Sequence, residues 1–514
     1  MRINQNIKRA YSRLQNPIYF YLLCFAFFGY SQESKQVTNP TDRPNIVFFF
    51  VDDMGWQDTS EPFHSEKTRL NHQYYTPNME RLAKEGIKFT QAYATAVCSP
   101  SRISLMTGMN AARHRVTNWT LVKDKSPDPN HSIIQPPQWN VNGLSAIPDQ
   151  PQTVYTETLP QLLKKAGYKT IHAGKAHFGA RDTSGENPLN LGFDVNIAGH
   201  AAGGPGSYLG KYNYSADWRE PGNHIWDVPG LEKYHGTDTY LTEALTIEAN
   251  KAINNAVAEK KPFYLYMSHY AIHAPWEKDY RFFKKYQDKG LNKFDAVYAA
   301  MLEGMDKSLG DIMTNLKRLG IAQNTIVVFM SDNGAPKQAA RNLPLRGHKL
   351  TPYEGGIRVP MMVKWPGITD SGTVNDNYVI IEDIFPTFLE MAGLHKEANK
   401  SLDGISFISL LTGKGKYPVD RPIYWHYPNT YDQPPYSAIR KGKWKLIYHH
   451  IDRKLELFNL EEDIGEKKNL SFQNKRKTKE LSRLLTNHLK ETKAQMPTDK
   501  TVGKLVEYPM EVLE

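Results

Sequence analysis

Cysteine is almost absent from this chain of 514 residues, which has two, Cys24 and Cys98. Cys24 lies in an apolar N-terminal stretch that reads as a leader, so the mature chain is expected to keep Cys98 alone. One cysteine makes neither an internal disulfide nor a thiolate metal cage. An exported protein without disulfides is ordinary for a bacterial periplasm and less usual for a secreted animal enzyme. Long apolar runs are missing as well. Ile18 to Phe28 follows the basic residues Lys8, Arg9 and Arg13, and is too short to span a bilayer. It reads as a signal peptide over residues 1–31. Leu22-Leu23-Cys24 lacks the small residue that a lipoprotein site places before its cysteine. With no later run of this kind, the expectation is an exported protein, periplasmic or secreted, without a membrane span. Also absent are an arginine-rich arm, a basic helix of nucleic-acid type and any internal repeat. The basic residues behind the formal net charge of +10 are spread along the chain, with dense clusters only at the C-terminal end, which argues against nucleic acid and leaves a mild preference for anionic substrates.

What the chain does have is short, almost wholly apolar runs, Asn45 to Val51, Phe263 to Met267 and Thr325 to Met330, with Lys169 to His172 reading as a further strand. Runs of this length without alternation predict strands buried on both faces of a parallel sheet. Helical patterns lie between them. Asn78 to Glu85 ends at Gly86, which suits a C-cap. Leu159 to Ala166 starts after Thr158, with Pro160 in its first turn, and stops at Gly167. Asp295 to Leu319 carries an apolar stripe and stops at Gly320. The alternation predicts an α/β fold, a large, mostly parallel sheet flanked by helices, over residues 43–400. From about Ser401 the texture changes. Pro422 to Tyr427, Ser437 to His449 and Lys454 to Leu460 read as antiparallel strands, and Lys475 to Thr492 as an amphipathic helix. Residues 401–514 are therefore expected to form a smaller α+β subdomain. Two long aperiodic regions, Leu121 to Gln152 and Thr183 to His235, read as ordered, substrate-facing loops, the second rich in Tyr and Trp.

Asp52 and Asp53 follow one buried strand, and Asp332 and Asn333 follow another. Ligands of open parallel sheets bind at the carboxyl ends of strands. One such pair alone would read as a helix cap or a turn. Two pairs, together with Cys98, favour a hard-oxygen metal site for calcium, or magnesium, rather than zinc.

A lone cysteine is most often a small buried hydrophobe, but here the context is Cys98-Ser99-Pro100-Ser101-Arg102. This resembles the sulfatase signature Cys-x-Pro-Ser-Arg. Further segments resemble the same family in the same order. Gly174-Lys175-Ala176-His177-Phe178-Gly179 is similar to Gly-Lys-Trp-His-Leu-Gly, with Ala176 and Phe178 as departures that remove no polar group. His273-Ala274-Pro275 is similar to the family's His-x-Pro, and Gly347 to Pro360 to its Gly-x-Lys…Glu-Gly-Gly-Ile-Arg-Val-Pro segment. Ala438 to Leu460 resembles the family's C-terminal region. The resemblance implies an alkaline-phosphatase-like fold and a type I sulfatase similar to bacterial polysaccharide sulfatases.

It also implies roles. Cys98 would be oxidised to formylglycine by a maturation enzyme, and the hydrate of its aldehyde would attack sulfur. Asp52, Asp53, Asp332 and Asn333 would hold the metal. Ser101 to Met106 reads as the start of a helix whose N-terminus favours an oxyanion. Arg102, Lys175 and Lys349 would balance the sulfuryl charge, His177 would take the proton that releases sulfate, and His273 would be the acid toward the leaving alcohol. His269 is expected to be structural, and Glu354 and Arg358 to hold their loop together. The expected substrate is a sulfated glycan, with His200, Tyr208, Trp276, Arg346 and His348 as candidate sugar contacts. Two alternatives remain at this point: a phosphonate monoester or phosphodiester hydrolase of the same superfamily, and a non-catalytic glycan-binding protein.

Overall fold

The computed structural model describes residues 43–339, 342–394 and 402–513. The expected leader, residues 1–31 with Cys24, lies outside them. The run Asn45–Val51 is the central strand. Its side chains alternate between two cores. Ile46, Phe48 and Phe50 enter one, with Leu159, Leu163, Phe385 and Phe388, while Val47, Phe49 and Val51 enter the other, with Leu241, Met301, Met305 and Leu309. Burial on both faces is why no polar residue interrupts the run.

The central strand pairs in parallel with Phe263–Ser268 on one side and with Thr325–Ser331 on the other. Lys169–Gly174 and Val195–Ile197 continue the parallel order beyond Phe263–Ser268. Arg358–Lys364 runs antiparallel, between Thr325–Ser331 and Ile87–Tyr93. Thr373–Asn375 and Val379–Ile380 border Ile87–Tyr93 and complete nine strands. Pro77–Glu85, Leu241–Ala258 and Lys293–Arg318 supply most helical residues of one core; Cys98–Thr107, Leu159–Lys165 and Ile384–Met391 supply most of those of the other. This is the expected α/β architecture. None of the described helices is long and apolar enough to cross a membrane.

Two local expectations fail. Gly86 is not a left-handed cap: its φ is −141° and its ψ −154°. Glycine is needed there for close approach, because a Cβ would lie 2.3 Å from the carbonyl oxygen of Val363. And Ser437 to His449 is not one strand. It is a hairpin of Tyr436–Lys441 and Trp444–His449, turning at Gly442-Lys443. With Pro422–Tyr427 and Leu455–Asn459 these strands form a four-stranded antiparallel sheet. The helix Lys475–Glu491 packs Leu481, Leu485 and Leu489 against Ile439, Leu446 and Leu457 of that sheet.

A buried ionic cluster ties this sheet to the large one. Lys445 Nζ lies 3.0 Å from Glu354 Oε1 and 2.8 Å from Glu466 Oε1, and all three side chains are fully buried. Glu354 also accepts a hydrogen bond from the Tyr93 hydroxyl at 2.6 Å and pairs with Arg358 at 3.4 Å. Glu354 and Arg358 thus hold their loop, as expected. Burial alone would raise the Glu354 carboxyl, but Lys445 and Arg358 hold it at about 2; burial pushes the Glu466 carboxyl up to about 7. One ammonium therefore serves two carboxyls. Lys445→Met is expected to cost about 3–5 kcal/mol, because it strands buried carboxylates. A thermal melt checks this, and adding Glu466→Gln should recover part of the loss.

Candidate active site

Four parallel strands end side by side. The register pairs Val51 with Ser331, Phe50 with Ser268, and Gly174 with Ser268. The residues that follow these ends therefore meet: Asp52 and Asp53, Asp332 and Asn333, Lys175, and the loop carrying His273. Asp52 N–H donates to the Ala271 carbonyl and Ile272 N–H to that of Asp52, at 3.0 and 2.7 Å, which fixes the His273 loop to the central strand.

Oxygens of Asp52, Asp53 and Asp332 all lie within 4.8 Å of one another. Three cations face them. Lys175 Nζ is 2.6 Å from Asp52, Lys349 Nζ is 2.6 Å from Asp53, and Arg102 Nη2 is 2.7 Å from Asp332. Asn333 Nδ2 donates to Asp53 at 2.7 Å. Two oxygens in this cluster, Asp52 Oδ1 and Asn333 Oδ1, are buried without a hydrogen-bond partner. Burial, reinforced by Asp332, raises the Asp52 carboxyl well above the usual range. Burial would raise Asp53 too, but Lys349 and His273 hold it well below. Asp53 and His177 both keep left-handed backbone, φ 61° and 55°, a conformation that costs non-glycine residues about 1–3 kcal/mol and recurs at functional sites.

Cys98 is the first residue of the helix Cys98–Thr107, three residues earlier than the pattern suggested, after extended Val97 at the cap. Its backbone N–H is one of the unpaired donors of a helix start. Ser101 Oγ donates to the Asp332 carbonyl at 2.6 Å and binds the helix to the acidic cluster. Arg102 is fully buried, its Nη1 donating to Ser268 Oγ at 2.5 Å and its guanidinium 5.1 Å from the Phe50 ring.

His177 Nε2 donates to the Thr120 carbonyl at 2.7 Å, which leaves its buried Nδ1 without a partner. His273 Nδ1 donates to the Ala274 carbonyl at 2.7 Å, and its Nε2 lies 3.8 Å from Asp53. Burial lowers both imidazoles, His273 to about 4 and His177 well below its ordinary value, with Lys175 adding to the effect at His177. Gly203 and Gly204 make room for these rings. A Cβ would stand 2.4 Å from His177 Cε1 at the first and 2.9 Å from His273 Nδ1 at the second.

Cys98, Asp53, His177, His273 and Lys349 open onto one cavity of about 460 Å³. Of the five candidate sugar contacts, Trp276 lines it. The other four are held elsewhere. Tyr208 is fully buried, its hydroxyl donating to the carbonyls of Tyr270 and His273 at 2.7 and 2.8 Å, so it braces the His273 loop from behind. His200 offers its backbone carbonyl to His177 N–H at 3.2 Å. Arg346 stacks on Tyr353 at 3.7 Å and donates to the Glu466 carbonyl. His348 Nδ1 donates to the Lys349 carbonyl at 2.8 Å. His269 is buried against Ser308, as expected of a structural residue. Missed from the sequence were Trp119, Trp226, Tyr431 and Asp432, all in the cavity wall. Trp226 belongs to the loop Thr183 to His235, which reads as substrate-facing as a whole; Tyr431 and Asp432 carry no local signal.

Comparison with known proteins agrees with this geometry. The sulfatase family model matches residues 44–394, and a model described as N-sulphoglucosamine sulphohydrolase, C-terminal, matches 348–495. A sulfatase of Formosa agariphila is 28% identical over 526 aligned positions, which cover 92% of each chain. The N-acetylgalactosamine-6-sulfatase of Homo sapiens is 33% identical over 405, covering 75% of this chain and 69% of that one. The crystal structure of Ps i-CgsB in complex with k-i-k-neocarrahexaose superposes with a TM-score of 0.72 at 28% identity, over 91% of this chain and 96% of that one. These matches set aside a non-catalytic binding protein and a phosphonate or phosphodiester hydrolase. The family model spans the whole sheet that carries the site, and the chain belongs to the sulfatase family, as an enzyme that hydrolyses sulfuric esters.

Proposed function

We propose that this sulfatase removes sulfate from a sulfated glycan, using a formylglycine made from Cys98 by a maturation enzyme and a divalent cation, calcium before magnesium. The observation that carries this reading is the convergence of Cys98, at a helix start, with Asp53, His177, His273 and Lys349 on one cavity. The donor set fits a hard cation: three carboxylates and an amide, with two buried oxygens still without a partner. Asp52, Asp53, Asp332 and Asn333 would hold it. Formylglycine would supply a nucleophilic hydroxyl through its hydrate, and the cation would supply Lewis acidity and a lowered hydroxyl pKa.

The protein's own groups do the rest. Arg102, buried between Asp332 and Ser268, fixes the start of the helix. Lys175 and Lys349 hold positive charge where sulfuryl oxygens would gather. His177, with a free Nδ1, is placed to accept a proton, and His273, which lines the cavity, would protonate the leaving alcohol from Nε2. Trp119, Trp226, Trp276 and Tyr431, all in the cavity wall, would stack on a sugar. The human relative, an N-acetylgalactosamine-6-sulfatase, and the neighbouring structure, a complex with a neocarrahexaose, both concern saccharides and support a glycan as substrate. We place the enzyme in the periplasm or outside the cell, on the strength of residues 1–31.

A screen of defined sulfated oligosaccharides, with the desulfated position identified, tests the substrate. The intact mass of the Cys98 peptide tests the modification, which loses sulfur and two hydrogens and gains oxygen. For the cation, elemental analysis is expected to find calcium or magnesium in the pure enzyme. Asp332→Asn keeps an acceptor for Arg102 while removing a charge, and should bind the ion at least about tenfold more weakly. Stoichiometric zinc, or full activity in metal-free enzyme, would overturn the assignment.

A further inference from the structure

The cavity wall has a member from the far end of the chain. Between the strands Pro422–Tyr427 and Tyr436–Lys441 the chain makes a loop whose Tyr431 and Asp432 reach the same cavity as Cys98. The loop is built to stay in place. Asp128, from the long loop before the Lys169–Gly174 strand, accepts hydrogen bonds from the backbone N–H groups of Thr430 and Tyr431 at 2.9 and 3.2 Å and from Asn429 Nδ2 at 2.7 Å. The Tyr427 hydroxyl donates to the Tyr431 carbonyl at 2.7 Å, and the Tyr431 ring meets Trp119 edge-on at 5.3 Å. The residues leading up to Asp432 are thus held, while Asp432 itself is exposed and its carboxylate makes no hydrogen bond or ion pair among the described residues.

The charges of the cavity decide what such a carboxylate can do. Among the described lining residues the one lysine or arginine is Lys349, already paired with Asp53. No other lysine or arginine lines the cavity among the described residues. A wall made for a densely sulfated sugar would carry surplus cations; this one carries rings and a carboxylate. A carboxylate accepts hydrogen bonds from hydroxyls and repels a sulfate. We propose that Asp432 is a specificity residue: it accepts hydroxyls of the sugar that bears the scissile sulfate, and it excludes sugars with a second anionic group beside the first. This rests on the glycan reading above.

Asp432 holds left-handed backbone at φ 55°, which Asn tolerates well, so Asp432→Asn changes charge with little change in shape. The probes are monosulfated galactose, glucose and N-acetylgalactosamine, as monosaccharides and in oligosaccharides, each beside its disulfated counterpart. Nitrophenyl sulfate, which has no sugar hydroxyls, serves as the reference rate. The wild type should prefer the monosulfated member in kcat/KM, and the preference should shrink as salt rises. Asp432→Asn should reduce it about fivefold, the scale of one exposed charge pair at close range. An unchanged preference in Asp432→Asn, or an equal loss on both members of a pair, overturns the proposal. If the wild type hydrolyses nitrophenyl sulfate and none of the saccharides, the glycan reading falls, and this proposal with it.

Discussion

Purified Cys98→Ala is expected to lose turnover of any sulfate ester by about a million-fold, the scale of removing an enzyme's nucleophile, and to melt close to the wild type. The two halves of this expectation have separate physical grounds. The side chain of Cys98 stands at the first position of its helix, facing the cavity, and carries the chemistry. The helix itself is anchored elsewhere, by Ser101 on the Asp332 carbonyl and by Arg102 on Asp332 and Ser268. Alanine is a good helix former, so the exchange removes one sulfur beside a cavity and little packing. Cys98→Ser should be equally inactive unless the host's maturation enzyme accepts serine. Steady-state rates on nitrophenyl sulfate, read beside a thermal melt, check both halves. Wild-type turnover by Cys98→Ala would end the formylglycine reading, whereas a lowered melting point would locate the effect in the fold.

The acidic cluster was legible because of what precedes it. Asp52 and Asp332 each follow a run without a polar interruption, the mark of a strand buried on both faces, and in a parallel sheet such strands end at one edge. The pairing of Asn45–Val51 with Thr325–Ser331, which puts the two dipeptides side by side, was not legible, since strand order leaves no trace in either segment. The wall of the cavity was read less well, for a related reason. A tyrosine in a glycine-rich loop looks the same in sequence whether it meets a sugar or, like Tyr208, carries backbone carbonyls on its hydroxyl inside the protein. Tyr431 and Asp432 come from another sheet, and their place beside Cys98 is set by the Asp128 contacts, which have no periodicity to read. The hairpin at Gly442 is different: a glycine inside an apparent strand is itself a sign of a turn or bulge, and the signal was present in the residues.

The two histidines should separate by leaving group. His273 is assigned as the acid toward the alcohol, and His177 as the base that completes the cycle. A nitrophenolate leaves with little protonation, whereas a sugar hydroxyl needs it badly. His273→Ala is therefore expected to cost about 10²–10⁴-fold on a sulfated sugar and far less on nitrophenyl sulfate. The ring rests neutral, lowered by burial, and the negative charge of an entering ester favours its protonated form. His177→Ala should behave otherwise. Its Nδ1 faces a step that follows departure of the alcohol, so the loss should be similar on both substrates, and sulfate should accumulate on residue 98. Neither exchange disturbs the other ring's support, because His177 is held by Thr120 and His273 by Ala274. Single-turnover and steady-state rates for both variants on both substrates, with the mass of the Cys98 peptide after quenching, decide the assignment. Equal losses on aryl and sugar sulfates for His273→Ala would remove the acid role and leave His273 as a group that only binds the ester, and a missing sulfated peptide in His177→Ala would remove the base role.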